Sequence, residues 1–81
     1  MNVRVQFYAQ LRELIGAHKL ELELPQGATV RELLEKIYAQ RPALRAHDNS
    51  ILVGAGLEFV DRNYKLNPGE EIAIMPPVQG G

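Results

Sequence analysis

The chain has 81 residues, no cysteine and a formal net charge of −1, from nine basic and ten acidic residues. This length fits one domain, and the lack of thiols excludes a cysteine nucleophile, a thiolate metal site and a persulfide on this chain. Its balanced, scattered charge argues against nucleic-acid binding. No apolar run approaches the ~20 residues that span a bilayer, and the alternating start does not resemble a signal peptide. We therefore expect a soluble cytoplasmic domain.

The first third of the chain predicts strand, short helix and strand. Residues 2–8 alternate between apolar and polar side chains, as in a half-buried strand. Residues 9–16 place leucines and an isoleucine on one helical face, and Gly16 supplies a stop. A second strict alternation at residues 19–24 is closed by Pro25, which predicts a second strand.

The strongest helix pattern begins at Thr29, whose side chain can cap the first turn. Glu32 lies three residues later and completes a capping box. Apolar residues then follow Val30 at i+3, i+4, i+7 and i+8, which forms one stripe. Pro42 ends the helix, and residues 43–50 are polar and aperiodic, which predicts a loop.

The last third predicts three short strands. Residues 51–60 favour two strands around a type II′ turn, with Gly-Leu at 56–57. Residues 67–71 form a Pro-Gly turn, and residues 71–75 alternate with both isoleucines inward. The order β-α-β-α-β-β-β predicts an α+β fold in which a mixed sheet packs against one main helix.

Few side chains suit catalysis. His18 and His47 lack partners at metal-ligand spacing, so solvated histidines are expected. Glu21 and Glu23 share the outward face of one strand, where a solvated face is expected rather than an acid–base pair. The single serine lies in no nucleophile elbow, and the Gly-Ala-Gly at 54–56 lacks the lysine and helix of a phosphate loop. We expect no catalytic side chain on this chain.

The chain ends in PPVQGG, residues 76–81. A frayed terminus is one interpretation. The other interpretation is a functional tail that projects into a partner. Two prolines favour an extended path, and six residues reach about 20 Å. Gly80 and Gly81 lack Cβ atoms and could enter a channel too narrow for side chains. The terminal carboxylate is ionised at neutral pH, and it becomes an acyl donor if a partner converts it to a mixed anhydride with AMP.

The full chain resembles the ubiquitin-like sulfur-carrier proteins of the MoaD and ThiS family, most closely the molybdopterin synthase type. The resemblance rests on VQFYAQLRELIG near the start, on FVDRNYKLNPGEEIAIMPPVQGG at the end, and on the element order between them. The strand followed by Pro-Pro-Val-x-Gly-Gly is its most specific part, since thiamine-pathway carriers usually lack the Pro-Pro-Val. Relatives often carry Asn-Gly in the hairpin where this chain has Gly-Leu, which leaves the type of that turn open.

The resemblance implies a ubiquitin-like β-grasp domain over residues 1–75, with parallel first and last strands at the sheet centre. A flexible Gly-Gly tail would follow over residues 76–81. A ubiquitin-activator-like adenylyltransferase would use Mg-ATP to convert Gly81 to an acyl-adenylate, and a sulfur-donor protein would supply the sulfur of a thiocarboxylate. The molybdopterin synthase large subunit would use that sulfur to build a dithiolene on cyclic pyranopterin monophosphate, within a heterotetramer. The chain itself would bind no cofactor, and the catalytic side chains would belong to the large subunit.

Apolar positions that match the family's partner contacts are Tyr8, Phe59 and Met75. Strand parity places Tyr8 and Met75 outward at adjacent strand ends, where an apolar patch would mark a partner surface. For Phe59, ordinary core packing is the alternative. The other predicted partner-binding residues are Pro76, Pro77, Val78 and Gln79.

Three other functions stay open. The chain could carry sulfur for thiamine, for tRNA thiolation or for a tungsten-pterin. It could be a protein modifier conjugated to lysines through Gly81. It could also be a binding module with an inert tail.

Overall fold

The structure, a computed structural model, describes residues 1–77 of the chain. The predictions for the last four residues, Val78, Gln79, Gly80 and Gly81, lie outside the described part. The elements in chain order are β1 (Asn2–Phe7), α1 (Leu11–Ile15), β2 (Lys19–Glu23), α2 (Val30–Gln40), a 3₁₀ helix (Pro42–His47), β3 (Leu52–Ala55), β4 (Glu58–Phe59) and β5 (Glu71–Met75).

The five strands form one mixed sheet in the order β2-β1-β5-β3-β4. Strands β1 and β5 are parallel neighbours, with Phe7 opposite Ile74, and the other pairs are antiparallel. The prediction of parallel first and last strands inside the sheet is confirmed. Because parallel strands end at the same edge, the chain leaves β5 beside Tyr8, whose N–H donates to the Ile74 carbonyl at 3.2 Å.

The core lies between one face of the sheet and α2. The predicted inward residues of β1 and β5 are at most 1% exposed, and the apolar stripe of α2 is buried with them. Each such side chain contributes about 1.5–3 kcal/mol on full burial. The capping box is confirmed: the Thr29 hydroxyl accepts from the Glu32 N–H, and the Glu32 carboxylate accepts from the Thr29 N–H. None of the helices within residues 1–77 is long and apolar enough to cross a membrane.

The prediction of a loop at residues 43–50 is wrong for its first half, which belongs to the 3₁₀ helix. Pro42 takes the first turn, where its missing N–H is no loss. The Leu44 N–H donates to the Arg41 carbonyl at 3.0 Å, and the Leu44 side chain is fully buried. One apolar side chain therefore anchors this element, and a single residue creates no periodic pattern in the sequence.

The hairpin between β3 and β4 has a two-residue turn, as predicted. Gly56 has a φ of +64°, whereas Leu57 is not among the non-glycine residues with positive φ. This combination fits a type II′ turn, which needs a left-handed residue only at its first central position.

Candidate docking surface and tail

The face of the sheet opposite α2 carries an open apolar depression at its C-terminal edge. Its volume is about 340 Å³. Phe59 is 68% exposed on this face, so the core-packing alternative for Phe59 is wrong. The structure brings together Tyr8, Phe59 and Met75, three of the residues predicted to bind a partner. We call this depression the docking surface; its lining residues are Tyr8, Gly54, Gly56, Leu57, Glu58, Phe59, Ala73 and Met75.

The strand register explains how the docking surface forms. Gly54 of β3 lies opposite Ala73 of β5 on one side and Phe59 of β4 on the other. A Cβ atom on Gly54 would stand 3.3 Å from the Cε of Met75, so the Met75 side chain occupies the space that this glycine leaves. In the sequence, Gly54 stood out only as part of the Gly-Ala-Gly that lacks the features of a phosphate loop. Strand alternation around residue 54 would have placed it on the outward face.

The predicted tail begins directly at the docking surface. Pro76 is half-buried and Pro77 is exposed, and both follow Met75 at the end of β5. The four residues after Pro77 can add at most about 14 Å of extended chain. The root of the tail is therefore fixed by the central strand pair.

Arg12 is a second residue that the sequence analysis missed at this edge. Its Nε donates to the Phe7 carbonyl at 3.2 Å, and its guanidinium carbon lies 5.8 Å from the centroid of the Tyr8 ring. It reaches this position because α1 begins immediately after a tight turn at Ala9, whose φ is +54°. Alanine has no preference for a left-handed conformation, so this turn could not be predicted from the residue type.

The titratable groups whose pKa values are shifted most clearly lie away from this edge, on the helix side of the molecule. Burial, followed by a hydrogen bond to Asp48, raises the pKa of Tyr38 to about 12. The same hydrogen bond lowers the pKa of Asp48, assisted by Arg62 at 3.0 Å. Within residues 1–77 there is no group of three His, Asp or Glu side chains that could hold a metal ion. This network links α2 to the loops beside it, and none of its three residues is among the described residues that line the docking surface.

The sequence of this chain matches a known protein family. Residues 5–81 match the ThiS family model. The chain belongs to the ThiS family. This ThiS-family chain is 35% identical over 83 residues to the molybdopterin synthase sulfur carrier subunit of Chlamydomonas reinhardtii, with 100% of both chains covered. The predicted resemblance to sulfur carriers is confirmed.

Two solved structures share the architecture of this ThiS-family chain. A Pyrococcus furiosus protein assigned as subunit 1 of molybdopterin converting factor superposes with a TM-score of 0.87 at 28% identity, covering 96% of this chain and 99% of that one. The small archaeal modifier protein 1 of Haloferax volcanii gives 0.85 at 25% identity, covering 95% and 98%. The predicted ubiquitin-like β-grasp fold is confirmed.

Proposed function

We propose that this chain is the sulfur-carrier subunit of a molybdopterin synthase. The observation that carries the proposal is its alignment with the Chlamydomonas sulfur carrier subunit over the whole of both chains. The Gly-Gly terminus and the docking surface at its root supply the physical basis. We place the reaction in the cytoplasm, where a chain without cysteine needs no oxidising environment.

Activation begins at the Gly81 carboxylate. As an ionised carboxylate it is a poor electrophile. A ubiquitin-activator-like adenylyltransferase binds Mg-ATP, and the carboxylate attacks the α-phosphorus and displaces pyrophosphate. The resulting acyl-adenylate is attacked by the persulfide of a sulfur-donor protein, and AMP leaves. A second thiol on a partner then cleaves the sulfur–sulfur bond, which leaves a thiocarboxylate on Gly81. The carrier needs Gly80 and Gly81 to be slender here, because both enter the partner's site.

Transfer takes place in the large subunit. The thiocarboxylate sulfur attacks cyclic pyranopterin monophosphate, and later hydrolysis of the acyl–sulfur bond returns the Gly81 carboxylate. A dithiolene contains two sulfurs, so each product consumes two charged carriers. The heterotetramer of two small and two large subunits suits this requirement. The carrier contributes affinity and reach, whereas the large subunit contributes the catalytic side chains.

The docking surface supports a large-subunit partner. Leu57 and Phe59 are exposed, Tyr8, Ala73 and Met75 are partly exposed, and contiguous exposed apolar surface marks sites of protein association. A protein that takes up the tail must also cover the root of the tail, where Tyr8, Met75 and Pro76 meet. Pro76 and Pro77 follow directly on β5, and proline favours extended backbone at this point.

Reconstitution with purified components tests the proposal. Thiocarboxylated carrier, large subunit and cyclic pyranopterin monophosphate are mixed, and the dithiolene product and the carrier mass are followed together. We expect two carriers to revert to the carboxylate for each product formed, and a variant lacking Gly81 to give none. Product formation by the variant, or no product from a large subunit that is active with its own carrier, contradicts the proposal.

A second candidate is conjugation to lysine side chains. The similarity to small archaeal modifier protein 1 favours it, because conjugation would use the same acyl-adenylate with an amine as the acceptor. Protein adducts that depend on Gly81 and resist thiols would support this function. The ThiS family match also keeps carriers for thiamine, tRNA thiolation or tungsten-pterin as acceptor variants of the same chemistry.

A further inference from the structure

One arginine at the root of the tail uses only part of its guanidinium within the chain. Arg12 donates from Nε to the Phe7 carbonyl and lies over the Tyr8 ring. Within residues 1–77 its terminal nitrogens donate no hydrogen bond, and it forms no ion pair. The side chain is therefore oriented, while its two terminal NH2 groups have no partner within residues 1–77.

The backbone beside Arg12 is strained. Ala9 is the sole non-glycine residue with positive φ in the described part of the chain, and a left-handed conformation costs an L-residue about 1–2 kcal/mol. The turn is closed by the Leu11 N–H on the Tyr8 carbonyl at 3.2 Å and the Arg12 N–H on the Ala9 carbonyl at 3.1 Å. This tight turn reverses the chain direction, so the Arg12 side chain lies over the end of β1. Strain of this kind concentrates at functional sites.

Two other arginines in the described part of the chain pair with carboxylates, whereas Arg4, Arg31 and Arg41 form no ion pair there. Arg45 pairs with Glu35 at 2.9 Å, and Arg62 pairs with Asp48 at 3.0 Å. Arg12 is oriented by a hydrogen bond to a carbonyl and by the Tyr8 ring, and within residues 1–77 no carboxylate takes part. An oriented cation without a counter-charge is suited to pairing with one from outside.

Arg12 also stands where a partner must arrive. The Tyr8 N–H bonds to the Ile74 carbonyl, so the ring under the guanidinium is next to Met75 and the start of the tail. A partner that covers the docking surface desolvates this cation. The guanidinium edge matches a carboxylate through two parallel hydrogen bonds, whereas covering it with an uncharged surface would leave a desolvated charge unpaired.

Building on the proposed function, we propose that Arg12 is a specificity residue that donates a bidentate hydrogen bond to a carboxylate of the synthase large subunit. The apolar residues of the docking surface supply affinity, and Arg12 rejects surfaces that lack an acidic residue at this point. The turn at Ala9 and the Tyr8 ring hold the guanidinium ready for that contact.

Calorimetric titration of the full chain with the large subunit tests this role at low and at moderate salt. Arg12→Gln removes the charge, and Arg12→Lys keeps the charge but loses the planar fork. Arg31→Gln is the matched control, because Arg31 is an exposed arginine of α2, which packs on the other face of the sheet. Thermal unfolding of every variant reports structural damage separately.

We expect Arg12→Gln to raise Kd about tenfold, a change of about 1.4 kcal/mol. Arg12→Lys should fall between Arg12→Gln and the wild type, and Arg31→Gln should stay within about twofold of it. The affinity of the wild type should also fall more steeply with salt than that of Arg12→Gln. All unfolding midpoints should remain close to that of the wild type.

Equal Kd values for wild type and Arg12→Gln at both salt concentrations would overturn the proposal, as would full rescue by Arg12→Lys. A loss of affinity that merely follows a lowered unfolding midpoint would assign Arg12 a structural role instead. If Arg12→Gln slows only adenylation of Gly81, the carboxylate belongs to the activating enzyme, and the proposal is overturned. Failure of the wild type itself to bind the large subunit would count against the proposed function and not against Arg12 alone.

Discussion

At the scale of single residues, Tyr38 and Asp48 link stability to pH. The pKa of Tyr38 in the folded protein is raised to about 12. Its contribution to the free energy of unfolding is therefore fully present below pH ~10 and is lost as pH rises through about 12. The folded pKa of Asp48 is lowered, so its contribution is present above the ordinary carboxyl pKa of ~3.9 and is lost as pH falls through the folded value.

Replacing Tyr38 by phenylalanine removes the hydroxyl from this network. We expect Tyr38→Phe to lower the free energy of unfolding by about 1 kcal/mol at pH 7, because Asp48 is partly exposed and keeps Arg62 as a partner. Urea unfolding across pH should show that the difference in unfolding free energy between the wild type and Tyr38→Phe narrows as pH falls below the ordinary carboxyl pKa of ~3.9, and again between pH ~10 and about 12. A difference in unfolding free energy between the two proteins that stays constant with pH would contradict this account of the network.

The left-handed turn at Ala9 makes a second prediction at this scale. Ala9→Val should lower the free energy of unfolding by about 1–2 kcal/mol, because a β-branched residue is poorly tolerated at positive φ. Ala9→Gly is the matched control and should change it by less than about 0.5 kcal/mol, since relief of strain is offset by greater freedom of the unfolded chain. Similar losses in both variants, measured by denaturant unfolding, would argue against strain at Ala9.

Sequence reasoning succeeded where one local interaction decides the geometry. Thr29 and Glu32 predicted a helix start because a capping box is complete within four residues. The Gly16 stop was confirmed for the same reason: its φ is +80° and its N–H donates to the Arg12 carbonyl. Ala9 and Gly54 could not be predicted in this way. The first depends on how β1 and α1 pack, and the second on which strands lie beside β3.

At the scale of elements, alternation identified the strands, and the resemblance supplied their order in the sheet. Periodicity failed for the 3₁₀ helix Pro42–His47, because Leu44 is its sole buried residue. Six residues with one apolar anchor look the same as a polar loop until the pocket that receives the leucine is known. The tail presents a different case: its last four residues lie outside the described part of the chain, and its chemistry stays a prediction from the Gly-Gly terminus and from family resemblance.

Two leucine-to-alanine substitutions test this assignment of the 3₁₀ helix. Leu44→Ala should lower the free energy of unfolding by about 2–4 kcal/mol, because it leaves a cavity in the core. Leu57→Ala removes the same atoms from a fully exposed turn and should change it by less than about 0.5 kcal/mol. Chemical denaturation of the two variants gives the comparison directly. Equal losses in the free energy of unfolding for Leu44→Ala and Leu57→Ala would show that Leu44 does not anchor the 3₁₀ helix.

At the scale of the whole molecule, the core and the proposed docking surface lie on opposite faces of one sheet. The inward face and α2 form the core, whereas Phe59 and its neighbours face outward at the root of the tail. The parallel pairing of β1 with β5 joins the two functions, because it fixes the exit of the tail beside Tyr8. We therefore expect substitutions on the docking surface to leave the fold intact.

Phe59→Asp tests that separation. The side chain is mostly exposed, so the unfolding midpoint should change little. Kd for the large subunit should rise by more than about tenfold, because a charge would enter an apolar interface. Ala46→Asp, on the exposed side of the 3₁₀ helix, is the matched control and should bind as the wild type does. If Phe59→Asp binds with unchanged Kd, the partner docks elsewhere.

The central claim is that the terminal carboxylate of Gly81 carries sulfur. Intact mass spectrometry of the chain, after incubation with an activating enzyme, Mg-ATP and a sulfur donor, tests this claim most directly. The account predicts a mass gain equal to the exchange of one oxygen for one sulfur, located on Gly81 and absent when ATP is omitted. An unchanged mass, with an activating enzyme that charges another carrier under the same conditions, would contradict it.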